Sequence, residues 1–142
     1  MISAPRSTRS LIALRCLVSL HLLIHGTFRA QGDGYVSGFG EFLSGSGVPA
    51  GLVVAWSITL FEIIGSLLLA WGWQQRWIAL GFVAELAVGI AMVHLNEGWF
   101  VVGGGRNGAE YSVLIIGVML AIAWAEPRAR ETAAFDRATS TI

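Results

Sequence analysis

Seven ionisable side chains fall inside stretches of the chain that are otherwise apolar: Arg15, His21, His25, Glu62, Glu85, His94 and Glu110. Such groups are costly in hydrocarbon, so they tend to mark ligand sites, proton relays or hydrogen bonds between helices. Their types limit the chemistry. A carboxyl or an imidazole can exchange protons, and either can hydrogen-bond the head group of a quinone. A quinone pocket also wants aromatic lining near one interface, which Trp99, Phe100 and Tyr111 could supply beside His25, His94 and Glu110, with Glu62 and Arg15 in support. The structural alternative for each residue is a bond between helices that fixes packing. No Ser–His–Asp arrangement is readable, so the sequence assigns no catalytic residue.

The elements that would position these groups follow from composition. The chain has 142 residues, of which 55% are hydrophobic and 13% charged, with a mean hydropathy of +0.68. Soluble domains carry roughly 25% charged residues, so a water-soluble globule and a disordered chain are both excluded. Net charge is zero, and all nine basic residues are Arg; there is no basic face for nucleic acid. The lone Cys16 excludes an internal disulfide.

Four stretches approach the roughly 20 apolar residues that a membrane helix needs: 10–28, 51–72, 77–95 and 110–125. The expected fold is an all-α bundle of four transmembrane helices, with segment 1–9 before it and a polar tail over 126–142 that frays or lies on the surface. Connector 29–50 reads as a long Gly- and Ser-rich loop, 73–76 as a tight turn, and 96–109 as a second Gly-rich loop. Trp71, Trp73 and Trp77 suit the lipid–water interface. The first stretch resembles a signal peptide, but Arg15, His21 and His25 interrupt it and no small-x-small site follows, so it reads as an uncleaved span. Arg6, Arg9, Arg76, Arg128, Arg130 and Arg137 fall on one side and Arg29 and Arg106 on the other, which places both termini in the cytoplasm. The expected location is the plasma membrane, the inner membrane of a bacterium.

Depth and helical phase sort the polar groups. Glu62 and Glu85 lie about eight to eleven residues into their spans, near mid-membrane at about 1.5 Å per residue. His21 has a similar depth, whereas His25, His94 and Glu110 lie near the outer ends. Two layers are expected: a central one of Glu62, Glu85 and His21, and an outer one of His25, His94 and Glu110. Roughly seven strongly apolar residues between Leu80 and Val93 contribute on the order of −3 kcal/mol, which barely offsets one central charge. Glu85 therefore faces the bundle interior or carries a proton. His21 and His25 share a face of their helix, as do Glu62, Gly65, Ser66 and Leu69 of theirs. Gly81, Glu85 and Gly89 should let a neighbouring helix approach, and Glu110, Gly117 and Ala121 define the inward face of the last span.

Two motifs suggest cofactors and fail on context. Gly103-Gly104-Gly105-Arg106-Asn107-Gly108 matches G-x-G-x-x-G, but a dinucleotide site needs a strand before it and a βαβ unit around it; the glycines read as a tight loop turn. His21-x-x-x-His25 could ligate metal or haem, but no Cys-x-x-Cys-His, HExxH or facing Glu-x-x-His pairs accompany it. Neither metal nor haem is expected. A quinone is the cofactor that the pattern accommodates.

In order and spacing these pieces resemble the DoxX-like family of four-span membrane proteins, from about Arg15 to Trp124. The resemblance is carried by Arg15, His25-Gly26, the aromatic residues of the first loop, Gly47-Val48-Pro49 and Glu62-Ile63-Ile64-Gly65 with Leu67-Leu68-Leu69 and Gly72. The stretch from Glu62 to Gly72 is similar to the family's E-x-x-G-G-x-x-L-L-x-G. Arg76, His94, Gly98-Trp99-Phe100, the glycine run and Glu110-Tyr111 follow. Arg29 stands near where the family often has Lys, Ser66 replaces a Gly, the tail Glu126-Pro127-Arg128 departs from the family's ending, and Glu85 lies outside the pattern. The resemblance implies a component of a membrane redox assembly, after relatives associated with quinone-linked sulfur oxidation. More distant relatives look like cargo receptors or membrane chaperones.

The leading expectation is an accessory or quinone-interacting subunit of a membrane oxidoreductase system, a non-catalytic subunit rather than an enzyme acting alone. The alternatives are a scaffold or chaperone for a partner protein, and a small transporter or proton path through Glu62 and Glu85. Expected partners are the lipid bilayer and either other membrane-complex subunits or further copies of the chain.

Overall fold

The computed structural model describes residues 6–102 and 106–139, with side chains over 9–102 and 106–125. The described elements are helical: α1 (Arg6–Gln31), α2 (Tyr35–Gly45), α3 (Gly51–Trp71), α4 (Gln75–Gly89), a π-helical turn Ile90–His94, a single turn α5 (Leu95–Glu97) and α6 (Glu110–Thr139). Three stretches, Arg9–Gln31, Gly51–Trp71 and Gln75–Glu97, are long and apolar enough to cross a membrane, and Glu110–Ala125 is a shorter apolar helix. The glycine run Gly103–Gly105, expected to turn the last loop, lies outside the described residues.

Chain reversals are built where backbone can turn left-handed. Gly72 ends α3 at φ 86°, and the Gly72 and Trp73 amides return to the Leu68 carbonyl at 3.0 Å, the pattern that closes helix C-termini. Gln74, at φ 46°, then starts α4. So short a turn makes α3 and α4 antiparallel neighbours. α1 packs along α3, α2 covers the first part of α3, and α6 packs on α4 while touching α1 less.

Buried residues form two apolar clusters. One, of Val18, Leu22, Leu69, Ile78, Ala79, Phe82, Met119, Ile122 and Ala123, ties all four long helices together. Phe61 and Phe82 meet within it at 4.6 Å between ring centroids. The other, of Val36, Leu43 and Ala55, joins α2 to α3. The buried face of α3 runs Ala55, Thr59, Glu62, Ser66, Leu69, so its polar residues lie between the two apolar clusters. Elsewhere the surface is greasy: Leu17, Ile24, Phe28, Val53, Trp71, Trp77, Leu114 and Trp124 are exposed, as expected of helices that face lipid rather than water.

Four sequence expectations need correction. Connector 29–50 is not a loop: α1 runs on to Gln31, and α2 is a helix with Val36, Gly40 and Leu43 buried on one side. That one-sided spacing is helical, but the glycines around it conceal it. The polar tail does not fray at Glu126, since α6 continues to Thr139. His21 is exposed and takes no place in a central layer. Gly89 and Gly117 have open space around them, and Ala121 is exposed; only Gly81 is closely approached, by the Phe61 ring. The inward side of α6 is Met119, Ile122 and Ala123.

Candidate functional site

A close approach of two helices creates the site. A Cβ built on Gly26 of α1 would lie 2.8 Å from the Glu62 Cβ of α3, so only glycine lets the helices meet there. One residue before and one turn after Gly26, His25 and Arg29 stand four apart on the same side of α1. They reach Glu62 from either flank of that contact.

Glu62 is held by both. Arg29 Nη2 donates to Glu62 Oε1 at 3.1 Å, and Arg29 Nη1 stands 2.9 Å from Oε2. The second contact is a charge contact, without the alignment of a hydrogen bond. His25 Nδ1 lies 3.3 Å from Glu62 Oε1, with side-chain exposures of 64% for His25 and 5% for Glu62. Arg29 Nη1 also donates to Thr59 Oγ1 at 3.3 Å, while Thr59 spends its own hydrogen on the Ala55 carbonyl at 2.8 Å. Above Arg29, the Phe39 ring of α2 sits 4.9 Å from the guanidinium carbon, a cation–π contact. A buried carboxylate is tolerated only when paired and hydrogen-bonded, and here Arg29 supplies the charge.

His25 Nδ1 lies between two competing partners. Arg29 Nη2 is 3.0 Å from it, and guanidinium only donates. That contact is a hydrogen bond when Nδ1 lacks a proton, which leaves the proton on Nε2. The contact with Glu62 is a hydrogen bond when Nδ1 carries the proton instead, which leaves Nε2 an acceptor. The outer face of an exposed ring can thus present a donor or an acceptor according to which buried partner holds its inner nitrogen. Glu85 of α4 completes the cluster: its carboxyl interacts with Glu62 and with the charge of Arg29, and its Oε2 is buried with no hydrogen-bond partner among the described residues.

Of the residues singled out by sequence, the fold brings together His25, Glu62 and Glu85. His94 and Glu110 bond elsewhere. His94 Nδ1 lies 2.5 Å from the Asn107 carbonyl, and Glu110 Oε1 accepts from the Val101 amide at 3.2 Å. The Ala109 and Glu110 amides pair with the Gly98 and Trp99 carbonyls at 3.1 and 3.0 Å, closing the loop over which Trp99 and Tyr111 stand half-exposed. Arg15 works at the opposite end of α1. Its Nη1 donates to Gln75 Oε1 at 2.6 Å and its Nη2 to the Ala70 carbonyl at 3.3 Å, so it fastens the α3–α4 turn and complements the carbonyl end of α3.

Sequence reasoning missed Arg29, Thr59 and Phe39. A first span that ends at Phe28 leaves Arg29 in the loop, whereas α1 continues to Gln31. The spacing His25-x-x-x-Arg29, one turn after a residue already suspected, was the available signal. Thr59 stands one turn before Glu62 and could have been found the same way. Among the described residues, no group of three or more His, Cys, Asp or Glu is placed to hold a metal ion.

Comparison with known proteins agrees with this architecture. A family model described as DoxX matches residues 10–95, a segment that runs from the second turn of α1 through the π-helical turn and holds His25, Arg29, Thr59, Glu62 and Glu85. No curated protein and no solved structure matches the chain. With more than half its length matched, and with apolar helices long enough to span a bilayer, the chain is an integral membrane protein and belongs to the DoxX family.

Proposed function

We propose that this protein is an accessory, quinone-interacting subunit of a membrane oxidoreductase system, and that the His25–Arg29–Glu62 cluster holds the quinone head group. The observation that carries the reading is His25 itself, a ring that is 64% exposed while its Nδ1 touches a buried acid and a guanidinium. A quinone carbonyl needs a hydrogen-bond donor and a quinol hydroxyl needs an acceptor. Nε2 of His25 can be either, depending on whether Arg29 or Glu62 holds Nδ1. The head group would reach the ring from the lipid, without a polar channel. When bound, a quinone supplies two-electron, two-proton chemistry; the protein supplies orientation and a proton at Nε2. Electrons would come from a partner subunit. His94, Glu110, Trp99 and Tyr111 would border the site from the second loop, and Arg15 would support it from a distance by holding the helix hairpin.

The test is native mass spectrometry of protein extracted gently from its own membranes. Wild type should retain a quinone, and His25→Leu and Glu62→Gln should lose it while remaining folded. A wild-type protein that carries no quinone, and takes up none when a short-chain ubiquinone is added, overturns the reading.

A further inference from the structure

Below the quinone-facing cluster, three buried polar atoms along the α1–α3 seam, Arg15 Nε, Ser19 Oγ and Ser66 Oγ, and a fourth on α4, Glu85 Oε2, have no hydrogen-bond partner among the described residues. Ser19 and Ser66 are 2% and 0% exposed. A serine in a helix can return its hydroxyl to the carbonyl one turn back, as Ser57 does here. Ser19 and Ser66 do not, although they sit in the driest part of the molecule. Buried polar groups left unpaired by protein are the places where internal water resides.

Their arrangement is linear. Arg15 meets the α3 end at Gly72, and Gly26 meets Glu62. The helices therefore run antiparallel, in a register that sets Ser19 within about a turn of Ser66. Arg15, Ser19, Leu22, Gly26 and Arg29 follow one another along the inner side of α1, and Ser66 follows Glu62 by about a turn on α3. Arg15 and Ser19 on α1, and Ser66 and Glu62 on α3, are thus each about one helical pitch of 5.4 Å apart along the axis, close to the span of two hydrogen bonds of about 2.8 Å each. A single water per gap would complete the chain.

We propose that this seam is a proton-conducting path from the Arg15–Gln75 end of the bundle, past Ser19 and Ser66, to the Glu85–Glu62 pair and out through His25. A proton taken up by Glu85 crosses to Glu62 and leaves on the exposed imidazole. One proton enters for each that leaves, and no electron moves. The guanidinium groups of Arg15 and Arg29 at the two ends oppose the entry of hydrated metal cations, whereas a proton carried as a neutral carboxyl brings no ion into the seam. The path makes no demand on the quinone reading, because it needs only the side chains and water.

Proton flux into quinone-free proteoliposomes decides the matter, with a lumenal pH dye as reporter and a potassium–valinomycin potential as the driving force. Vesicles holding wild type should change lumenal pH several-fold faster than protein-free vesicles. Glu85→Gln and Ser66→Ala should return the rate most of the way to the bare-lipid value. Glu85→Asp should keep most of the flux, and Leu67→Ala, at an exposed position, should conduct as wild type does. Should Glu85→Gln fail to fold, Ser19→Ala and Ser66→Ala remove only a hydroxyl and carry the decision. A wild-type rate equal to that of bare vesicles overturns the proposal, as does undiminished flux in the folded serine and Glu85→Gln variants. Because the vesicles hold no quinone, these outcomes are independent of whether His25 binds one.

Discussion

Arg29 and Glu62 form an ion pair across the α1–α3 interface, with Nη2 3.1 Å from Oε1 and Nη1 2.9 Å from Oε2, between two apolar clusters that ion pairs normally avoid. Removing one partner strands the other. Arg29→Met should therefore cost about 3–5 kcal/mol, read as a fall in the detergent-solubilised melting temperature. Arg29→Met/Glu62→Met should recover much of that loss, because two apolar side chains leave no charge behind. Equal destabilisation in the single and double variants would show that the pair adds nothing beyond packing.

Gly26 tests the helix approach that creates the pair. Gly26→Ala puts a Cβ 2.8 Å from the Glu62 Cβ, and overpacking of this kind costs about 1–3 kcal/mol. Gly117→Ala is the control. It has open space around it and should stabilise α6 by up to about 1 kcal/mol through helix propensity. Thermal unfolding of the two variants should move in opposite directions; a neutral Gly26→Ala would mean that the helices can separate there without loss.

These two positions also show what the sequence made legible. The spans were readable because apolar runs of that length have few alternatives, and Glu62, Glu85 and His25 were readable because a charge in such a run needs a reason. Partnership was harder to see. His25 was assigned to an outer layer and Glu62 to a central one, yet they touch, because Glu62 and its neighbour helix meet where Gly26 removes a side chain. Arg29 escaped because one extra helical turn carries it from an expected loop into the bundle, where Glu62 awaits a cation. His21 was misplaced by depth alone; helical phase turns it outward. Which side chains meet depends on helix rotation and register, and a hydropathy profile carries neither.

Arg15 should matter to the hairpin. Its guanidinium holds Gln75 and the Ala70 carbonyl, and hydrogen bonds to charged groups contribute about 1.5–3 kcal/mol. Arg15→Leu should lower thermal stability by about that much, and Gln75→Ala by less, since the carbonyl contact survives. Limited proteolysis at the Trp73–Arg76 turn should accelerate in Arg15→Leu. An unchanged cleavage rate and melting curve would leave the clamp without energetic weight.

The distribution of Arg predicts that both termini face the cytoplasm and that α2 lies on the opposite side. With the native thiol removed (Cys16→Ala), a cysteine placed at Ser46 should react with an impermeant maleimide in right-side-out vesicles, and one placed at Ser140 only after permeabilisation. The reverse pattern would invert the topology.

His25 separates function from stability. Its ring is 64% exposed, its contact with Glu62 is 3.3 Å, and Arg29 also pairs with that acid, so the fold draws little from it, about 0–1 kcal/mol as for a solvent-exposed partner. His25→Leu should melt within that margin of wild type, because Arg29 still neutralises Glu62, yet it should lose the quinone. His94→Leu should behave differently. That imidazole spends its Nδ1 on the Asn107 carbonyl, so its loss should loosen the loop between α5 and α6, seen as faster amide exchange over 98–109, with quinone retention reduced only in part. Parallel native mass spectra and hydrogen-exchange maps of the two variants make the comparison. If His94→Leu sheds the quinone completely and His25→Leu keeps it, the head group sits under the second loop, and the α1–α3 cluster is a packing device with a proton to spare.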